Sequence, residues 1–325
     1  MKTGVLRGHA ALLAANLLWG LMSPIAKMAL TSGYLDAISL ITFRILGAAI
    51  LFWFASLFAK KEHVPHQDMI RLFFAALIGI VLNQGCYVFG VSMTSPIDVS
   101  IVATTAPIIA MIIAAFYLKE PVTAKKVLGV FLGATGALLL IISSARSETH
   151  ELSGENHVLG ALFCLLSQTF FALYFVVFKD LTARYSPLTL MKWMFIYSAI
   201  CTIPFSYRSI IAIDFATMPA EVMIDILYVV VIGTFVTFML LPVGQRLLRP
   251  TVGVMYNYIQ PITASLVAVW WGIDTFGWMK GMAIGLVFLG VYVVTQSKSR
   301  AQMEAEKKAL EEGTKNMNTN KMTEK

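Results

Sequence analysis

NQGCYVFGVSMTSPIDVSIVATTAPIIAMIIAAFYLKEP, residues Asn83 to Pro121, and TFMLLPVGQRLLRPTVGVMYNYIQPITASLVAVWWGIDT, residues Thr237 to Thr275, carry one layout of prolines, glycines and apolar residues twice. Setting Pro107 over Pro261 gives a shift of 261 − 107 = 154, and the same ungapped shift sets Gly90 over Gly244, Pro96 over Pro250 and Glu120 over Asp274. Self-similarity at one fixed offset marks a duplicated structural unit. Each copy supplies two apolar runs of membrane length, so the unit belongs in a bilayer.

Composition agrees. With 58% hydrophobic and 13% charged residues and a mean hydropathy of +0.76, the chain has more apolar surface than one soluble core hides. A span needs about 20 apolar residues, and ten such runs are present: Ala10 to Leu30, Ala37 to Phe58, Met69 to Val91, Ile97 to Leu118, Val127 to Ser144, Val158 to Phe178, Leu188 to Tyr207, Val222 to Gly244, Val252 to Trp271 and Phe276 to Thr295. The runs are continuous, without the alternation of barrel strands, so their backbones are satisfied in lipid as helices. The predicted fold is an all-α membrane protein.

The distribution of Lys and Arg predicts orientation. One side receives twelve, from Lys2 and Arg7 through Lys119, Lys125 and Lys126 to Arg246 and Arg249, and the other receives three, Arg146, Arg208 and Lys280. This places both termini in the cytoplasm. The net charge of +7 then follows from topology and attraction to the lipid surface, with no nucleic-acid motif or partner. The first run is read as a retained helix, since no small-residue cleavage site follows it. Cys86, Cys164 and Cys201 fall inside predicted spans and behave as small buried hydrophobes, predicting neither disulfide nor metal site. No cofactor motif is present. Compact loops and the lack of an organelle-targeting segment point to a bacterial inner membrane.

Parity gives the repeat its meaning. Five helices precede the loop Ala145 to His157 and five follow, so the second copy enters the membrane from the opposite face. The expected organisation is a first repeat over 1–146, an outer linker over 147–157, a second repeat over 158–297 and a cytoplasmic tail over 298–325. A weaker match pairs Lys27 with Lys179 at a shift of 152. Inverted repeats are the architecture of many secondary transporters, with the substrate site near mid-depth between halves.

Trp19-Gly20 with Lys27 in the first helix, Arg44 in the second, Pro107 in the fourth, Lys119-Glu120-Pro121 after it and the glycine-spaced fifth helix together resemble the EamA family of the drug/metabolite transporter superfamily. The resemblance runs from about Ala10 to Thr295. It implies a carrier or exporter of small metabolites working by alternating access, with a cavity lined by the first, third, fourth, sixth, eighth and ninth helices. Smaller multidrug relatives use a glutamate in the first helix, where this chain has Asn16, Trp19 and Lys27.

Polar residues deep in a span usually face a bundle interior or a cavity. Asn16, Trp19, Asn83, Gln84, Thr104, Thr105, Gln168, Thr234, Thr237, Tyr256, Asn257, Tyr258 and Gln260 are the cavity candidates. Singly, each amide could equally bridge two helices. As a group they offer hydrogen bonds and ring surface without fixed charge, suiting amino acids or related zwitterionic or aromatic solutes. Of the charged residues within spans, Lys27 snorkels to an interface, whereas Arg44 lies deeper and needs carbonyls, a carboxylate or an anionic substrate group. Both readings of Arg44, structural and substrate-contacting, stand. No carboxylate falls at mid-depth, and Asp98 reads best as an acid at a helix N-terminus.

Pro107 and Pro261 interrupt helices at matching depth and serve either as packing kinks or as hinges. Gly129 and Gly133 followed by Gly136, with Gly281 and Gly285 followed by Gly290, place small residues along one face of the fifth and tenth helices as packing seams, through which a homodimer contact stays open. Three function classes remain: a secondary carrier, a non-catalytic membrane scaffold and an intramembrane enzyme. The last needs an acid/base or metal constellation that these residues lack, so the chain is not expected to be an enzyme.

Overall fold

The computed structural model describes residues 2–93, 99, 102–145, 157–211, 213, 215–270, 277–298 and 303. Ten membrane helices follow the ten apolar runs. They are α1 (Lys2–Thr31), α2 (Ala37–Ser56), α3 (His66–Met93), α4 (Ala106–Tyr117), α5 (Ala124–Ala145), α6 (His157–Val177), α7 (Pro187–Ile211), α8 (Ala220–Leu247), α9 (250–270) and α10 (Trp278–Thr295). A short helix, Lys179–Arg184, joins α6 to α7. Seven of the ten are continuous apolar helices long enough to cross a bilayer. Large apolar side chains stand outward, with Phe116, Phe205 and Trp270 each more than 80% exposed, as only a lipid surround tolerates. The linker, except His157, and the tail, except Lys298 and Met303, lie outside the described residues, as do Asp98 and Asp274.

Local chemistry sets the element ends. Gly33 takes φ +80° in the turn after α1, a conformation that costs glycine little. Asp36 then caps α2, accepting the Ser39 N–H at 2.8 Å. After α4, Lys119 adopts φ 51° and turns the chain, and the Glu120 carboxylate meets buried Lys126 at 2.8 Å. Much of the Lys-Glu-Pro run is thus turn architecture.

The duplication is exact in register where it is longest. Helices α3 and α8 start at positions offset by 220 − 66 = 154. Each contains a wider π-helical stretch, Leu77–Leu82 in α3 and Tyr228–Val236 in α8. Packing repeats too: α6 lies against α3 and α4, as α1 lies against α8 and α9, while α2 pairs with α7 and α5 with α10. A Cβ on Gly79 would come within 2.6 Å of Tyr174, and one on Gly233 within 2.6 Å of Met22. Those neighbours are themselves equivalents, since 174 − 22 = 152. Two five-helix repeats therefore interlock about a pseudo-two-fold axis, each repeat's first helix packing on the third and fourth of the other.

The α5–α10 seam differs from expectation on one side. Gly129 and Gly133 do permit close approach: Cβ atoms there would meet Val294 at 2.5 Å and Tyr258 at 2.4 Å. Gly281 and Gly285, however, are exposed, and nothing lies within 4 Å of where a Gly285 Cβ would stand. The buried face of α10 is instead Ala283, Val287, Gly290 and Val294. Gly281 and Gly285 each stand two residues before buried Ala283 and Val287, about 200° around a helix of 3.6 residues per turn, so the pair shares one stripe but it is the face opposite the seam.

Candidate functional site

Between the halves lies a narrow cleft lined by Trp19 and Met22 of α1, Arg44 of α2, Asn83, Gln84 and Tyr87 of α3, Ser167, Gln168 and Phe171 of α6, and Asn257 and Gln260 of α9. Its void is about 60 Å³, whereas pockets that enclose a drug-sized ligand run from about 300 Å³ upward. The conformation described here is therefore contracted around the site. Room exists for a few water-sized groups, and a metabolite requires the helices to part.

Most of its polar groups are already oriented. Asn83 Nδ2 donates to the Ser167 carbonyl at 2.8 Å and to Ser167 Oγ at 3.0 Å, and Gln84 Nε2 donates to Asn83 Oδ1 at 3.3 Å. This joins α3 to α6. Across the cleft, Gln260 Nε2 donates to Asn16 Oδ1 at 2.9 Å, and Asn16 Nδ2 donates to the Leu12 carbonyl at 2.9 Å, joining α9 to α1. Trp19 Nε1 donates to the Gly233 carbonyl at 3.0 Å, while its ring meets Phe171 and Phe238 edge-on at 6.0 and 5.9 Å. That geometry favours aromatic pairs and gives the cleft a rigid apolar wall.

Arg44 supplies the fixed charge that the expected neutral lining lacked. It is 3% exposed, and its Nε donates to Thr234 Oγ1 at 3.1 Å. Thr234 sits in the π-helical stretch of α8 and spends its own hydrogen on the Val229 carbonyl five residues back, at 2.7 Å, so its lone pairs face the guanidinium. Such stretches recur at functional sites because they re-aim side chains out of regular register. Among the described residues no carboxylate oxygen lies within 4 Å of Arg44.

Trp19, Asn83, Gln84, Gln168, Asn257, Gln260 and Arg44 thus come together at the cleft, with Asn16 one bond behind it. Several other candidates do not line it. Thr105 and Thr237 turn their hydroxyls onto carbonyls three and four residues back, Val102 at 2.6 Å and Gly233 at 2.8 Å. Hydroxyls in lipid-buried helices often satisfy themselves this way. Tyr258 is 1% exposed and bonds the Thr104 and Val130 carbonyls, so neither it nor buried Thr104 faces the void. Tyr256 points toward the end of the bundle where the chain starts, its hydroxyl 2.6 Å from His9 Nδ1. No side chain of α4 or α8 lines the cleft among the described residues, and α2 does so through Arg44. The Lys27 side chain lies outside the described residues.

Pro107 stands in the first turn of α4, after a break at Thr104 and Thr105, and Pro261 follows the 3₁₀ turn Tyr256–Tyr258 that divides α9. Proline is tolerated at such starts because the N–H it lacks has no helical partner there. These prolines sit at helix breaks, not in helix interiors as expected. Met22, Tyr87, Ser167 and Phe171 line the cleft without having been singled out. Helical spacing carried the signal: Met22 follows Trp19 by three, Tyr87 follows Asn83 by four, and Phe171 follows Gln168 by three. Among the described residues no group of three or more His, Cys, Asp or Glu could hold a metal ion.

Comparison with known proteins places this geometry in context. The profile of the EamA-like transporter family matches residues 6–142 and again 158–296. An uncharacterized transporter of Bacillus subtilis (strain 168), YetK, is 22% identical over 75% of this chain and 74% of its own. An uncharacterized transporter of Acidianus ambivalens is 22% identical over 77% of this chain and 89% of its own. Protein WALLS ARE THIN 1 of Arabidopsis thaliana is 28% identical over 47% of this chain and 44% of its own. A solved crystal structure superposes with a TM-score of 0.70 at 18% identity, covering 91% of this chain and 97% of that one, which shows a shared fold.

Proposed function

The chain belongs to the EamA-like transporter family, and from that premise we propose that it is a secondary carrier moving small polar metabolites, such as amino acids and related zwitterionic or aromatic solutes, by alternating access. The observation that carries the reading is a polar cleft between interlocked repeats, lined from α1, α2, α3, α6 and α9. A void of about 60 Å³ among amides and rings is too small for a metabolite until the helices move, as alternating access requires. Breaks at Thr104-Thr105 and at Tyr256–Tyr258 give α4 and α9 hinge points at equivalent depth. Lys and Arg crowd the end of the bundle where the chain starts, which favours cytoplasmic termini in a cell membrane, and export as the working direction is the expectation that the family carries.

Counterflow in proteoliposomes tests the carrier reading. Vesicles preloaded with an unlabelled solute pool should accumulate the labelled solute saturably, and protein-free vesicles should not. If no amino acid, nucleobase, sugar or aromatic compound exchanges, the protein is not such a carrier.

A further inference from the structure

We propose that Arg44 is a carboxylate receptor, so that the transported solute is a small carboxylate-bearing molecule with an apolar body. The proposal deepens the carrier reading and rests on it.

Arg44 is the one ionised residue among the described residues that line the cleft. A guanidinium presents five N–H donors, and here Thr234 accepts from Nε alone, at 3.1 Å. No other hydrogen bond of Arg44 is made among the described residues, and no carboxylate oxygen approaches within 4 Å. A structural arginine at this depth would be expected to have its charge matched, since an uncompensated buried ion is costly. Holding Nε and leaving the terminal nitrogens unpaired is the arrangement that receives a planar anion through two parallel bonds.

The charge count separates the anion classes. One cation among amides balances a monoanionic carboxylate, whereas a dianionic phosphate would leave net negative charge in a low-dielectric site. The remaining lining describes the rest of the solute. Trp19, Met22 and Phe171 form an apolar wall, and the side-chain amides of Gln168 and Asn257 make no hydrogen bond among the described residues. Those two amides are available to an amino or hydroxyl substituent. The asymmetry of the repeats agrees: at a shift of 199 − 48 = 151, which sets Ala48 of α2 over Ala199 of α7, Arg44 corresponds to Phe195, a core residue 1% exposed. Symmetry of the fold does not require a charge here.

The test uses the full-length protein purified in detergent. L-leucine, L-phenylalanine, benzoate and 3-hydroxybutyrate are each titrated against their primary amides, with binding read from thermal unfolding and tryptophan fluorescence. At least one acid should bind tenfold or more tightly than its amide. Arg44→Gln should abolish that preference, and Arg44→Lys, which keeps the charge and loses the fork, should reduce it. If Arg44→Gln fails to fold, Thr234→Val decides: it keeps the guanidinium, removes its anchor, and should weaken the acid threefold or more without affecting the amide. Equal binding of acid and amide, binding by neither series, or a preference that survives Arg44→Gln (or Thr234→Val where that variant decides) overturns the assignment. Acid-selective binding without counterflow would instead overturn the carrier reading while leaving the receptor in place. Counterflow confined to solutes without a carboxylate would sink the receptor and spare the carrier.

Discussion

Tyr258 donates its hydroxyl hydrogen to the carbonyl oxygen of Thr104 at 3.2 Å, and the two residues are each other's repeat equivalents, 258 − 104 = 154. A residue touches its own equivalent in an inverted pair only close to the pseudo-two-fold axis. This bond therefore marks the axis, and it does so where α4 and α9 both break. The Val130 carbonyl at 3.3 Å shares the same hydrogen, tying α5 into the crossing.

Tyr258→Phe keeps the ring against Gly133 and removes the bond. A net loss of about 1 kcal/mol is expected, read as reduced resistance to unfolding in mixed micelles. Counterflow should change as well, because the bond bridges the two helix breaks. Unaltered stability and unaltered flux would show that the crossing needs only the ring.

Glycine substitutions along α10 should separate its two faces. Gly285→Ala meets open space and is expected within about 0.5 kcal/mol of the parent. Gly290→Ala places a Cβ 2.6 Å from the Gly129 carbonyl and the Gly133 nitrogen, backbone atoms that cannot swing away. Overpacking of this kind costs about 1–3 kcal/mol or more. Equal behaviour of the two variants would mean that the buried stripe of α10 is assigned to the wrong residues.

Cysteine reactivity reads the cleft directly. In a background with Cys86, Cys164 and Cys201 replaced, Gln168→Cys and Asn257→Cys should react with a small methanethiosulfonate at least tenfold faster than Thr237→Cys. The first two positions line the void, and Thr237 is fully buried. Labelling of all three at one rate would dissolve the distinction between cleft and packing positions.

At the end of the bundle that carries the N-terminus, the buried carboxylate of Asp68 accepts the Tyr185 hydroxyl at 2.5 Å and lies 3.3 Å from Arg184, joining α3 to the α6–α7 connection. Burial and then the Asp68 bond push the Tyr185 phenol up to about 12, so it stays a donor at any physiological pH. Tyr185→Phe removes a bond to a charged acceptor and should cost about 1.5–3 kcal/mol. A chemical-denaturation midpoint equal to the parent's would refute that linkage.

The same region carries an acid-sensitive contact. Partial burial opposes ionisation of Glu62, and hydrogen bonds from Thr189 and Ser186 outweigh it, so its carboxyl is held below the usual range. A carboxyl lowered by folding contributes stability above its unfolded value, near pH 4.3, and loses it as pH falls through the folded value. Glu62→Gln should therefore lower stability in the neutral region, converge with the parent at acid pH, and so flatten the acid limb of a thermal-stability profile. A parallel acid limb in both proteins would show that other groups govern it.

The ten helices, the two repeats and the 154-residue register were legible in the chain, because a bilayer leaves a backbone few ways to satisfy itself and apolar run lengths record the outcome. Asn83, Gln84, Gln168, Asn257 and Gln260 were legible as cleft residues for a related reason: lipid tolerates few unpartnered amides, so they collect at the interior. Depth, however, is not direction. Thr104, Thr237 and Tyr258 lie at the same depth as the lining residues, and only the rotation of each helix about its axis turned them away from the void, the hydroxyls of Thr237 and Tyr258 onto carbonyls.

Rotation is set by packing of one helix on another, a non-local matter that no single run encodes. The same holds for Arg44, whose charge is visible in the chain but whose place on the cleft depends on Thr234, 190 residues away, and on the π-helical stretch that aims it. It holds also for α10, where Gly290 lies on the buried stripe and Gly285 does not. Composition and periodicity determined what the chain becomes in lipid. Tertiary structure decided which side of each helix faces the cleft, because only the interlocking of two inverted halves brings those faces together.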